Sequence, residues 1–193
     1  MNASIRKTIL AQRQKISEHV QIAASHQVAE TVWNLDIFHQ AKRIGLYFSI
    51  RGEIKTEEII EKLRHFNKEM YFPRLEKNTK QLKFYRYHSD EALQKNGFGI
   101  PEPAPILENE IPVERLEIVL VPMVAFTEQC DRLGMGAGYY DRTFAWMKEN
   151  LQHRPMLIGL AYESQKIEKF DLHHGDVPMD IIITESSIFK RKK

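Results

Sequence analysis

Ile118-Val119-Leu120-Val121-Pro122-Met123-Val124-Ala125-Phe126 is the longest apolar run in the chain. Its first four residues are β-branched or leucine with no charge among them, the composition of a strand buried on both faces. The run is about half of the ~20 residues a helix needs to span a bilayer, so no membrane segment is expected. Working outward, Ile44-Gly45-Leu46-Tyr47-Phe48 and Met70-Tyr71-Phe72 are shorter β-favouring runs. Between them Ile59, Ile60, Leu63 and Phe66 give one apolar face to a helix over about Thr56 to Asn67. Thr56 is placed to cap that helix, with Glu57 and Glu58 at the positive end of its dipole. Leu82 to Tyr87 alternates like a strand near an edge. Tyr139 to Asn150 reads as helix, and Leu157 to Ala161 and Ile181 to Thr184 as two more strands. Strands alternating with helices imply an α/β fold, a mainly parallel sheet covered on both faces.

The first ~35 residues predict two helices, one carrying Ile5, Ile9 and Ile16, the other capped by Ser17 with Ala24, Val28 and Val32 on one side. Pro101, Pro103, Pro105 and Pro112 punctuate a long connection. With 193 residues and no repeat, a single domain over 1–193 is expected. Lys+Arg is 28 and Asp+Glu 26, for a net charge of +2. That balance argues against a dedicated nucleic-acid partner, which needs a clear basic excess. One cysteine allows no intrachain disulfide and suits a reducing compartment, so a cytoplasmic protein is expected. A monomer is the expectation for its assembly, which the sequence itself leaves open. The Lys190-Arg191-Lys192-Lys193 tail reads as a solvated, frayed terminus.

In open parallel sheets ligands bind beyond the carboxyl ends of the strands. The loops to inspect are therefore Ser49 to Lys55, Met123 to Gly138, and Asp171 to Asp180. The second holds the densest unusual segment, Arg132-Leu133-Gly134-Met135-Gly136-Ala137-Gly138-Tyr139-Tyr140-Asp141-Arg142. Three glycines at spacing two let backbone N–H groups turn toward phosphate oxygens ahead of a helix. Arg132 adds a bidentate cation, and Asp141 could hold Mg²⁺ through oxygen. The segment is neither a P-loop nor the dinucleotide fingerprint. A surface turn whose glycines only ease packing is the rival reading.

The full string is more specific than its glycines. Val121-Pro122-Met123-Val124-Ala125-Phe126, followed by the segment from Arg132 to Arg142, resembles the signature of the 5-formyltetrahydrofolate cyclo-ligase (5,10-methenyltetrahydrofolate synthetase) family. Further blocks agree in order: Arg6 and Arg13, Tyr47-Phe48-Ser49 with Gly52-Glu53-Ile54 and Thr56, Phe72-Pro73-Arg74, Phe98-Gly99-Ile100-Pro101-Glu102-Pro103, and His174-Gly175-Asp176-Val177-Pro178-Met179-Asp180. The similarity runs from about residue 5 to residue 185.

The resemblance implies a three-layer α/β/α fold like that of sugar-phosphate isomerases and CoA transferases. It implies ATP- and Mg²⁺-dependent conversion of 5-formyltetrahydrofolate, with or without a polyglutamate tail, to 5,10-methenyltetrahydrofolate, ADP and phosphate. Arg6 and the segment Arg132, Leu133, Gly134, Met135, Gly136, Ala137, Gly138, Tyr139 and Tyr140 would hold ATP. Arg132 and Tyr139 would serve catalysis. Phe48, Glu53, Phe98 and Tyr139 would contact the folate, Glu53 by accepting the pterin's N–H groups. Asp141 and Asp176 would bind Mg²⁺. Core packing would equally account for Phe48 and Phe98, and a turn aspartate for Asp176.

His173-His174 beside Asp176 could suggest a transition-metal cluster, but adjacent histidines do not readily share one metal, so solvated or capping histidines are expected. Cys130 is read as incidental. The family often places a lysine where this chain has Asn2, and basic residues where it has Met135 and Ala137. Other readings are a sugar-phosphate isomerase or CoA-transferase relative, and a nucleotide- or folate-binding regulator without turnover.

Overall fold

The computed structural model of the chain describes residues 1–88, 91–149 and 154–192. Helices α1 (Asn2–Arg13), α2 (Glu18–Trp33) and the short α3 (Asp36–Gln40) precede strand β1 (Arg43–Gly45). Then come α4 (Glu57–His65), β2 (Glu69–Glu76), β3 (Gln81–Arg86), β4 (Gln94–Lys95), β5 (Pro101–Glu102) and β6 (Glu110–Ile111). The second half holds β7 (Ile118–Pro122), β8 (Ala125–Phe126), β9 (Arg132–Leu133), α5 (Tyr139–Phe144), β10 (Met156–Leu160), β11 (Ile181–Ile183) and β12 (Ile188–Lys190).

Eight strands form the main sheet in the order β12-β11-β10-β7-β1-β2-β3-β6. The five from β11 to β2 are parallel, with Ile44 opposite Ile118 and Gly159 opposite Val121. β12 closes one side antiparallel, and β3 with β6 closes the other. β7 lies at the centre, as its apolar run predicts. Successive side chains of a strand face opposite ways. Accordingly Ile118 and Leu120 join a core with Ile44, Ile158, Leu160 and the apolar faces of α2, α3 and α4. Val119 and Val121 join a second core with Phe84, Leu157, Ile182, Phe144 and Met147. Helical residues therefore cover both faces of the sheet. A third, smaller cluster, including Ile9, Val124 and Leu133, seats α1 over the β8–β9 hairpin at the carboxyl end of the parallel strands.

Several details differ from the sequence reading. Thr56 stands at the N-cap of α4, but its hydroxyl donates to the Tyr47 carbonyl at 2.8 Å and so ties the helix to the segment that follows β1. Ser17 occupies the N-cap of α2 without a side-chain capping bond. The helix expected over Tyr139 to Asn150 ends its α geometry at Phe144, and Ala145–Lys148 tightens to a 3₁₀ turn; Asn150 lies outside the described residues. Thr143 donates back to the Tyr139 carbonyl at 2.8 Å while accepting from Leu82 N at 2.7 Å. Back-bonding of this kind bends helices. The tail is less free than expected: Lys190 belongs to β12, and Arg191 N donates to the Asp180 carbonyl at 3.0 Å. Lys193 lies outside the described residues. No helix among the described residues is long and apolar enough to cross a membrane.

Candidate active site

A cleft of about 760 Å³ opens at the carboxyl end of the parallel strands. All three loops singled out in the sequence line it, through Glu53, through the segment from Arg132 to Arg142, and through Asp176. Arg6, Phe48 and Phe98 complete the expected set along its walls.

Arg132 and Leu133 form β9, so the β8–β9 hairpin carries the glycine segment from the end of β7 back to the start of α5. Gly136 has φ 95 and Gly138, the N-cap of α5, has φ 68. Side chains resist this left-handed region. A Cβ on Gly136 would also stand 3.4 Å from Arg6 Cζ. Arginines surround the loop. Arg6 Nε donates to the Gly134 carbonyl at 2.7 Å, and Arg142 Nη2 donates to the Ala137 carbonyl. Arg132 is buried, with Nη2 2.5 Å from Asp141 Oδ1 and its Nε lacking a partner among the described residues. A buried N–H without an acceptor is costly, and this one belongs to a residue that lines the cleft.

Asp141 Oδ1 also accepts from Val177 N at 3.2 Å, which brings the Asp176 loop against the start of α5. Asp176 Oδ2 accepts from His173 N at 2.8 Å. Two carboxylates from separate segments thus line one end of the cleft, an all-oxygen donor set that suits a hard divalent cation. His173 and His174 are exposed and belong to no metal-ligating group among the described residues.

Glu53 sits in the loop after β1. Its Oε2 accepts from Ile50 N at 3.1 Å. Burial pushes its carboxyl up, opposed by that N–H and by the Arg13 and Arg51 charges. Phe48 stacks on Phe72 with ring centroids 4.0 Å apart, so it both packs against the core and faces the cleft. Phe98 is exposed near the tip of the β4–β5 hairpin. There Asn96 Oδ1 accepts from Phe98 N at 2.9 Å and Ile100 N at 3.1 Å. Tyr139 is half-buried beneath the Arg142 guanidinium, 5.9 Å from its ring centroid. Burial, then the neighbouring Glu53 charge, raises the Tyr140 hydroxyl well above the usual tyrosine range.

The sequence reading missed Glu102, a buried carboxylate that lines the cleft and accepts from Leu75 N at 3.0 Å and Asn96 Nδ2 at 2.7 Å. It fastens the β4–β5 hairpin to β2. Its signal was present in the Pro101-Glu102-Pro103 block, where a carboxylate between prolines has few local donors. Arg142 also lines the cleft but was quoted only as part of the motif. Asn2 is buried and exchanges two hydrogen bonds with the Asp171 backbone, at 2.8 and 2.9 Å.

The fold occurs in known proteins. The model of the 5-formyltetrahydrofolate cyclo-ligase family matches residues 1–185. The chain belongs to that family. The 5-formyltetrahydrofolate cyclo-ligase of Haemophilus influenzae is 40% identical over 190 residues, covering 95% of this chain and 100% of the relative. That of Escherichia coli K12 is 30% identical over 184 residues, covering 94% and 99%. The solved 5,10-methenyltetrahydrofolate synthetase of Aquifex aeolicus superposes with a TM-score of 0.83 at 30% identity, over 100% of this chain and 93% of that one. Its counterpart from Mycoplasma pneumoniae gives 0.74 at 25% identity, over 95% and 98%. Membership of the cyclo-ligase family makes the protein a ligase of folate metabolism.

Proposed function

We propose that the protein uses ATP and Mg²⁺ to cyclise 5-formyltetrahydrofolate to 5,10-methenyltetrahydrofolate through a phosphorylated formyl oxygen. The observation that carries this reading is the convergence of the glycine loop, Glu53 and the Asp141–Asp176 pair on one cleft.

A formyl oxygen on nitrogen is a poor leaving group. Its attack on the γ-phosphorus releases ADP and leaves an iminium phosphate. The N10 lone pair then bonds to the activated carbon, N10 gives up its proton to the departing phosphate or to water, and the C–O bond breaks to release phosphate. Positioning and charge neutralisation are the main demands of such a transfer. Arg6, Arg132 and the backbone from Leu133 to Tyr140, through Gly134, Met135, Gly136, Ala137 and Gly138, hold the triphosphate. The unpartnered Nε of Arg132 supports that role. Glu53 accepts the pterin's N–H groups, Phe48 and Phe98 flank the folate, and Tyr139 stands between folate and nucleotide. Asp141 and Asp176 would hold Mg²⁺, which neutralises phosphate charge when bound. The chain acts as a single-domain cytoplasmic monomer, and polyglutamylated folates are admitted as substrates.

The test mixes protein, Mg-ATP and 5-formyltetrahydrofolate and follows the near-ultraviolet absorbance of the methenyl product. An ATP-dependent rise is expected. Folded protein that gives none would remove the reading.

A further inference from the structure

Arg13 has no part in the reading above, yet it is among the most deeply buried side chains, 2% exposed at the end of α1. Its Nε donates to the Arg51 carbonyl at 3.1 Å and its Nη1 to the Met123 carbonyl at 3.1 Å. Its Nη2 has no hydrogen-bond partner among the described residues and lies 3.9 Å from Glu53 Oε1. One guanidinium therefore ties the loop after β1 to the turn after β7 and turns its remaining face toward the carboxylate. The held loop needs tethering, since Arg51 at φ 51 and Gly52 at φ 73 are consecutive left-handed residues.

We propose that Arg13 is a positioning residue for folate recognition, fixing the Glu53 loop and setting its positive charge beside the Glu53 carboxylate that accepts the pterin's N–H groups. The inference rests on the assignment of Glu53 made above.

An ionised carboxylate only accepts hydrogen bonds, whereas a protonated one gives up acceptor capacity to an O–H. Glu53 is 12% exposed, so burial favours its neutral form. The groups that face it are few. The Tyr47, Tyr140 and Tyr162 hydroxyls are each pushed up by burial and stay neutral near neutral pH. Arg51 is exposed and its charge is screened by water. Arg13 is the buried positive charge. Its removal lifts the Glu53 pKa further, so folate binding weakens most where protons are most abundant.

The experiment measures folate KM, ATP KM and kcat from about pH 6 to about pH 8 for the wild type, Arg13→Gln, Arg13→Lys and Glu53→Gln. Arg13→Gln should raise folate KM about tenfold at the acid end and no more than about threefold at the alkaline end, with ATP KM unchanged. Arg13→Lys keeps the charge but loses the planar fork, so it should raise folate KM evenly across the range. An even rise in Arg13→Gln, the result of lost packing alone, would overturn the proposal. Should Arg13→Gln not fold, Arg13→Lys decides: a raised folate KM with ATP KM and kcat unchanged upholds the positioning of the Glu53 loop, and an unchanged folate KM, or equal rises for folate and ATP, overturns it. If Glu53→Gln leaves folate KM untouched, the Glu53 assignment itself fails. If Glu53→Gln raises it and neither Arg13 variant does, only the role of Arg13 fails.

Discussion

The Nε of Arg6 donates to the carbonyl of Gly134 at 2.7 Å, joining the first helix to the glycine loop across 128 positions of sequence. The bond leaves Arg6 beside the loop and partly exposed at the cleft wall. Arg6→Ala should raise ATP KM about tenfold and folate KM less than about threefold, because a charge-assisted contact to phosphate is lost. Steady-state kinetics with each substrate varied in turn checks the asymmetry. Equal effects on both substrates would move Arg6 away from the nucleotide.

Asp141 carries two duties, as partner of the buried Arg132 and as candidate Mg²⁺ ligand. Asp141→Asn should lower turnover at least about tenfold. It should also cost about 1–3 kcal/mol of stability, since a neutral amide pairs poorly with a guanidinium. Urea melts measure the second effect and Mg²⁺ titration of activity the first. Wild-type activity at limiting Mg²⁺ would remove the metal role.

Gly136→Val meets two obstacles, a left-handed backbone and the Arg6 guanidinium 3.4 Å from the new Cβ. A branched side chain forced into that region costs about 1–3 kcal/mol. The loop is exposed there, so the strain should deform the loop and leave the fold intact. Turnover should fall more than about a hundredfold with the melting temperature within a few degrees of wild type. Retained turnover would mean that the loop backbone does not have to approach the phosphates.

Cys130 is fully buried, and burial pushes its thiol up to about 11. Thiolate is the reactive form. At about pH 8 only about one thiol in a thousand is ionised, so thiol reagents should leave the folded protein unlabelled until denaturant is added. Mass spectrometry before and after denaturation gives the answer. Rapid labelling of native protein would contradict the burial. The residue also adopts φ 66, a conformation glycine takes at less cost.

The sheet was legible in the sequence because β7, β10 and β11 are short uncharged apolar runs, and the placement of Ile118 to Val121 at the middle follows from burial on both faces. The three cleft loops were legible because parallel strands put ligands at their carboxyl ends. Much of the support behind them was not. Arg13 ends an N-terminal helix rich in basic and polar residues, where an arginine reads as surface; its partners at Arg51 and Met123 lie 38 and 110 positions away. Glu102 fastens a hairpin whose strands are two residues each, too short for any periodicity. The early end of α5 turns on Thr143, whose hydroxyl is engaged by a strand 61 positions earlier.

β12 bears on colloidal behaviour. A border strand offers unpaired backbone groups to any neighbouring chain, and lysines on such a strand discourage that pairing. This one ends in Lys190 and runs on into Arg191 and Lys192. Its removal would bare the backbone groups of β11, Ile181-Ile182-Ile183, to neighbouring chains. Charge-neutral replacements at Lys190, Arg191 and Lys192 should therefore show themselves as turbidity at high concentration, long before any change in catalysis.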